Sequence, residues 1–264
     1  MLHRTHDLRG HKLGAIDGEI GRVEDFYFDD HSWRIRYLVA DTGTWLSGRL
    51  VLISPAALGH TDWGSGVLPV HLSREQIENS PPIESEPTVS RQREKELANY
   101  YGWPIYWAPP PGAYAGGTPT AVPEAVEPYP YGTAGPNVVV REKADRPGVA
   151  PRTGDPHLRG AREVSGYYIE ARDGDIGHVD DFIVDDDEWL IRYMVVDTRN
   201  WWPGKKVLVS PHTIQAVNWD DSRVHVELTK DQIRNGPSYD ETLPLDREYE
   251  TRLSDYYEWP RYWI

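Results

Sequence analysis

The chain has no cysteine in its 264 residues. That absence excludes disulfides, thiol nucleophiles, thiolate zinc sites and iron–sulfur clusters. It fits a reducing compartment, and a cytoplasmic location is expected. No apolar run approaches the roughly 20 residues that a membrane-crossing helix needs, so no membrane span is expected. The opening residues, MLHRTHDLRGHKLG, lack the apolar core of a secretory leader. Basic residues are also scarce, 28 against 42 acidic ones, and none cluster beyond Lys205-Lys206. With a formal net charge of −14 the chain repels phosphate backbones, and nucleic acid is not an expected partner.

Signatures of catalysis are missing as well. Neither a GxxxxGK[ST] nor a GxGxxG phosphate loop occurs, and Ser54-Pro55 and Ser210-Pro211 lack a nucleophile-elbow context. His31, His60, His71, His178, His212 and His225 show no HxH or HExxH spacing. An enzyme is therefore not expected, and no cofactor is implied.

What is abundant is aromatic surface of a particular kind, 11 Trp and 16 Tyr against only 3 Phe. Both types join a large apolar body to a polar tip, which suits interfaces as well as cores. The second feature is a repeat. Adding 156 to a residue number lands on its counterpart without a gap for about ninety residues. DGEIG at Asp17 meets DGDIG at Asp173, Trp33 meets Trp189, and DTGTWLSGRLVLISP at Asp41 meets DTRNWWPGKKVLVSP at Asp197. The match continues through LSREQIENSP and LTKDQIRNGP to the tails NYYGWPIYW and DYYEWPRYW. None of the six histidines meets another at this offset, which argues against a duplicated metal or catalytic site.

The repeat divides the chain into a first domain over 1–107, a linker over 108–156 and a second domain over 157–264. The linker is too rich in Pro and Gly for a helix or a central strand. As a flexible coil its ends would lie about 35–42 Å apart, so the copies can face each other or stay apart. The second copy is the more acidic, with 22 acidic and 13 basic residues against 15 and 11.

Within each copy the pattern predicts six short antiparallel strands closing into a small barrel. Asp17-Gly18 and Asp173-Gly174 read as type I′ hairpin turns. The next strand alternates Trp33, Ile35, Tyr37 and Val39 on one face, with Trp189, Ile191, Tyr193 and Val195 as counterparts. Ser73 with Gln76, and Thr229 with Gln232, have capping-box spacing for a short helix. A second helix follows over Ser90–Tyr101 and Asp246–Tyr257, and an aromatic tail ends each copy.

The ordered motifs DGxIG, DFxxDD, Trp, IRYxVxDT, a Trp loop and a closing Ser-Pro resemble the PRC-barrel family, over about 10–80 and again over 166–237. The family takes its name from the cytoplasmic part of the photosynthetic reaction centre H subunit and also supplies the barrel of a bacterial ribosome maturation factor. The resemblance implies a mainly β fold with short helices and an adaptor or assembly role, with no catalytic residue to carry over. This chain lacks the membrane-anchoring helix of the first and the companion domain of the second, so neither function transfers.

Three groups of residues are candidates for a site. VDDFIVDDDEWLIRYMVVDT invites a metal at Asp185, Asp186 and Asp187, but it has no Gly at the sixth position of a calcium loop. In the first copy, moreover, His31 and Ser32 replace Asp187 and Glu188. Turn chemistry is the simpler reading, and no metal is implied. Asp25 and Asp181 are expected to form ion pairs with Arg36 and Arg192 on the adjoining strand. The third group is aromatic: Trp45, Trp201 and Trp202 in loops, and Tyr106, Trp107, Tyr262 and Trp263 in the tails. These either present an interaction surface or plug their own barrel, the tails being expected to pack on their own copy. The functional reading is an adaptor that binds a protein partner, associates with itself, or pairs its two barrels internally. The alternatives are a cation or small-ligand sensor using the acidic hairpins and, further off, a hydrolase.

Overall fold

A computed structural model describes residues 1–60, 63–81, 89–107, 158–198 and 205–263. The linker lies outside these residues. The first copy runs β1 (Leu2–Arg4), α1 (Thr5–Leu8), β2 (Lys12–Ala15), β3 (Gly18–Asp29), β4 (Ile35–Asp41), β5 (Leu50–Ile53), β6 (Val67–Pro69), α2 (Arg74–Glu78) and α3 (Arg91–Tyr101). The second runs β7 (Leu158–Gly160), α4 (Ala161–Val164), β8 (Tyr168–Ala171), β9 (Gly174–Asp185), β10 (Leu190–Asp197), β11 (Lys206–Val209), β12 (Ile214–Asn218), β13 (Arg223–Val226), α5 (Lys230–Asn235), β14 (Ser238–Tyr239) and α6 (Arg247–Tyr257). The chain is mainly β with short helices. Most pairs are antiparallel, but β2 runs parallel to β6 and β8 parallel to β13.

The capping boxes form as the spacing requires. Ser73 Oγ accepts from the Gln76 N–H while the Gln76 amide oxygen accepts from the Ser73 N–H, and Thr229 and Gln232 do the same. Among the described residues of the strand expected over Leu58–Trp63 there is one bridge, Leu58 to Val70, whereas its counterpart β12 is a full strand.

Two local expectations are corrected. The hairpin turn is not type I′: Ala15 pairs with Gly18, so the loop residues are Ile16 and Asp17, and neither has positive φ. Asp17 is used elsewhere, its Oδ1 accepting the Arg74 N–H at 2.8 Å, and Asp173 does the same for Lys230. These carboxylates satisfy the exposed amides at the start of α2 and α5.

Nor do Trp33, Ile35, Tyr37 and Val39 share a face. A bulge falls between the Tyr27–Tyr37 and Phe28–Ile35 pairs, and another between Ile191 and Tyr193. One extra residue inverts the alternation. Trp33, Ile35, Leu38 and Ala40 therefore face the main core, while Tyr37 and Val39 face a second cluster with Leu52, Val89 and Leu97. That second cluster is the seat of α3, and Tyr193, Val195, Leu208 and Leu253 form its counterpart under α6.

The copies do not sit side by side as closed units. β1, from the first copy, pairs antiparallel with the far end of β9 in the second, Leu2 opposite Asp185 and Arg4 opposite Ile183. β7, from the second copy, pairs in the same way with β3 in the first, Leu158 opposite Asp29 and Gly160 opposite Tyr27. Each sheet thus contains a strand from the other half. The main core is correspondingly continuous across both copies, with Phe28 and Trp33 packing on Phe182.

Candidate interaction site at the crossed arms

Residues 1–10 and 158–166 form two arms, each a three-residue strand and one helical turn, and each lies on the opposite barrel. The apolar first residue of each arm seals the cluster beneath the helix of its host. Leu158 is buried with Tyr37, Leu52 and Leu97, and Leu2 packs against the cluster of Ile183 and Tyr193. The helical turns are capped in trans. The Arg162 N–H donates to Asp25 at 3.2 Å, and the His6 N–H donates to Asp181 at 3.2 Å, joined there by the Thr5 hydroxyl.

The expected partners of Asp25 and Asp181 are therefore wrong. Arg36 and Arg192 reach the hairpin acids instead: Arg36 lies 3.8 Å from Asp29, and Arg192 donates through Nε at 3.1 Å and Nη2 at 2.7 Å to Asp185. A bulge falls beside each Arg. Burial pushes the Asp25 carboxyl up to about 6, against the favourable pull of the Phe26 N–H, Arg9 and Arg162, and burial raises Asp181 too. A carboxyl whose folded pKa lies above its unfolded value of 3.8 binds its proton more tightly in the folded state. Its contribution to stability is then fully present below about pH 4 and is lost as pH rises through about 6. Thermal melts of Asp25→Asn and the parent at pH 4 and pH 7 should show this. The parent should lose stability relative to the variant across that interval, by up to a few kcal/mol.

The acidic hairpins acquire their meaning from the same exchange. Asp186 accepts from Trp63 Nε1 and lies 3.3 Å from His3 Nε2, while His3 packs its ring on Trp63 at 4.3 Å. At the counterpart junction Arg159 lies 3.6 Å from the fully buried Asp30 and 4.2 Å over the Trp219 ring. In each case one hairpin Asp meets a residue of the other copy's arm, and that arm residue packs on a Trp of its own copy. Burial pushes the His3 imidazole below its ordinary value. Asp29, whose Oδ1 accepts the His31 and Ser32 N–H groups, acts within its own turn. Asp185 accepts the Asp187 N–H in the same way. Three ligand-type groups gather within 4.8 Å at Asp29–His31 and again at Asp185–Asp187. In both clusters the carboxylates already meet turn amides and side chains of the opposite copy.

The hairpin tips also meet each other. The Ile35 N–H donates to the Trp189 carbonyl at 2.7 Å, and the Ile191 N–H to the Trp33 carbonyl at 2.8 Å. Trp33 and Trp189 both take the left-handed conformation, φ 57° and 52°, which a bulky residue adopts only when its surroundings compensate.

The aromatic candidates are tied to their own copies. Tyr37 and Tyr106 both donate to Glu94 Oε2, at 3.0 and 2.9 Å, and Tyr193 and Tyr262 donate to Glu250 Oε1 at 3.1 and 2.6 Å. Arg36 and Arg192 lie 3.8 Å over the rings of Tyr106 and Tyr262. Arg91 covers Trp107 at 4.3 Å and Arg247 covers Trp263 at 4.5 Å. Each tail is a latch over the helix that precedes it, and its two named aromatics remain half-buried. Trp45 packs partly against the main core beneath Arg74, 4.5 Å from its ring. Trp201 and Trp202 lie outside the described residues.

Sequence reasoning missed the arms and the buried carboxylates Glu94 and Glu250. A signal for the arms was present at the offset of 156, where Leu2 meets Leu158, Leu8 meets Val164 and Gly10 meets Gly166. The family model of the PRC-barrel domain matches residues 2–76 and 158–233, so both matched regions begin at the first residue of an arm strand. No curated protein matches the chain. Among the described residues no helix is long and apolar enough to cross a membrane.

Proposed function

From a chain that belongs to the PRC-barrel family twice over, we propose a non-enzymatic adaptor that presents two related barrels as one interlocked body to a protein partner in the cytoplasm. The observation that carries this reading is the reciprocal exchange of arms. It spends the most reactive-looking groups, Asp25, Asp181 and the hairpin acids, on holding the copies together. It also fixes the barrel that carries Trp45 relative to the other barrel, so that a partner can engage both at once. Trp in a loop between strands is a residue type enriched at binding hot spots.

The test is affinity capture from the source organism with the intact chain and with Trp45, Trp201 and Trp202 all replaced by Ala. The adaptor reading expects a partner bound by the intact chain and at least tenfold depleted on the variant. A partner retained equally by both would remove the Trp loops from the reading. Absence of any partner, with the protein monomeric at every concentration, would remove the adaptor itself.

The cation-sensor reading draws on the clustered carboxylates at 185–187. Since these acids already have cationic and N–H partners, millimolar calcium or magnesium is expected to leave the melting temperature unchanged. A rise abolished by Asp185→Asn with Asp186→Asn would shift the reading to a sensor.

A further inference from the structure

The two junctions are related by the repeat, yet the side chains across them are not alike. Gly160 stands directly opposite Tyr27 on the first barrel, whereas Arg4 stands opposite Ile183 on the second. Positions 4 and 160 are counterparts, as are 27 and 183. Gly160 is not required by its backbone, which at φ −78° and ψ 135° is open to any residue. It is favoured by space, which is tight around it. A Cβ there would come within 3.0 Å of Asp25 Oδ2 and 3.3 Å of the Tyr27 ring, and an arginine would have to run its whole side chain past that ring. At the other junction Ile183 has no ring to obstruct Arg4, which extends to Asp7 at 2.6 Å and to Glu241 at 3.4 Å.

The neighbouring position repeats the mismatch in charge. Arg159, 1% exposed, faces the fully buried Asp30, while its counterpart His3 is half-buried and faces a more accessible Asp186. Placing the 1–10 arm on the first barrel would leave Asp30 opposite an imidazole, in place of a permanent cation. A buried carboxylate deprived of its cation is strongly destabilising. Burial of the arms follows the same division: every residue of β7 is buried and every residue of β1 only half-buried.

We infer that the barrels are a matched and non-interchangeable pair. The 158–166 arm fits the first barrel, the 1–10 arm fits the second, and the crossed contact forms between unlike barrels only. The specificity residues are Tyr27 with Gly160 and Ile183 with Arg4, reinforced by Asp30 with Arg159. Steric exclusion at one junction discriminates as effectively as attraction at the other. The partner that this face accepts is the complementary half, from the same chain or from a second copy of it. Contacts between molecules through this face must therefore run first barrel to second, giving rings or strings rather than a symmetric pair of like barrels. This inference concerns barrel pairing and holds whether or not the body is an adaptor.

A protease site placed within 108–157 of the full chain allows the folded protein to be cut, unfolded and refolded, and the three possible pairings to be told apart by native mass spectrometry. Unlike pairs are expected to exceed each like pair by more than about tenfold. The statistical ratio of one to two to one would overturn the inference. A second measurement uses the uncut chain. Gly160→Arg should lower the melting temperature by several degrees, and adding Tyr27→Ile, which rebuilds the second junction's pairing on the first barrel, should restore most of that loss. If Gly160→Arg has no effect, or if Tyr27→Ile deepens the loss, the steric code is refuted.

Discussion

Replacing Trp33 with Ala should destabilise the protein by about 3–5 kcal/mol, measured as the shift in chemical denaturation at constant slope. Trp33 is among the largest side chains with no exposed surface. Its ring stacks on Phe28 at a centroid distance of 5.2 Å and contacts Phe182 of the other copy at 6.4 Å, so truncation opens a cavity between the two barrels as well as within one. Trp189, the counterpart, is only half-buried, and among the described residues it stacks on Phe26 at 6.3 Å. Trp189→Ala should therefore cost markedly less, although the two positions are indistinguishable in sequence. Trp33→Phe gives a further control. The indole Nε1 is buried without a hydrogen-bond partner, so losing it removes an unsatisfied donor and offsets part of the lost packing. Equal losses for Trp33→Ala and Trp189→Ala would mean that the core between the copies is not what stabilises the pair.

Gly177→Ala should have a larger effect still, a loss above about 4 kcal/mol or failure to accumulate as folded protein. Gly177 has φ +150°, and a Cβ there would fall 2.1 Å from the Asp197 carbonyl oxygen on the neighbouring strand. Gly21 repeats the arrangement with Asp41 at 2.0 Å. The obstruction is backbone, which cannot swing aside as a side chain can. Gly43→Ala is the matched comparison, because φ is +54° and nothing lies within 4 Å of the added carbon. It should cost only the left-handed penalty of about 1–2 kcal/mol. The second glycine shared by DGEIG and DGDIG is thus explained by close approach of β3 to β4 and of β9 to β10.

Much of the fold was legible because it is local. Most of the strands, both capping boxes and the helix starts at Ser90 and Asp246 depend on residues within a few positions of one another. The missed features share a different physics. The bulge beside Arg36 depends on a partner strand, and a slip of one residue inverts the faces that alternation assigns. Trp33 has the propensity of a strand residue but occupies a left-handed turn that contacts across the body maintain. Asp25 reads as a partner for the arginine on the adjoining strand, yet it accepts from Arg9 and from the Arg162 N–H, the latter 137 residues away. Glu94 and Glu250 sit in helices, and what binds them is distant in sequence, a strand tyrosine at Tyr37 or Tyr193 joined by Tyr106 or Tyr262 of the returning tail. The aromatic candidates were legible as a group, but the latches that hold the tails were not.

The exchange of arms also sets an order of events during synthesis. The first copy leaves the ribosome with the far edge of β3 unpaired and with Asp30 still lacking the guanidinium that will lie beside it. Arg159 is made about 130 residues after Asp30, a delay on the order of ten seconds at ordinary elongation rates. The intervening segment therefore acts as a timer as well as a tether. Until it has been translated, the first barrel carries an open strand edge that a neighbouring nascent chain could occupy. Hydrogen exchange on released truncated chains ending before and after residues 158–166 would register the closing of that edge as protection gained at Tyr27 through Asp29.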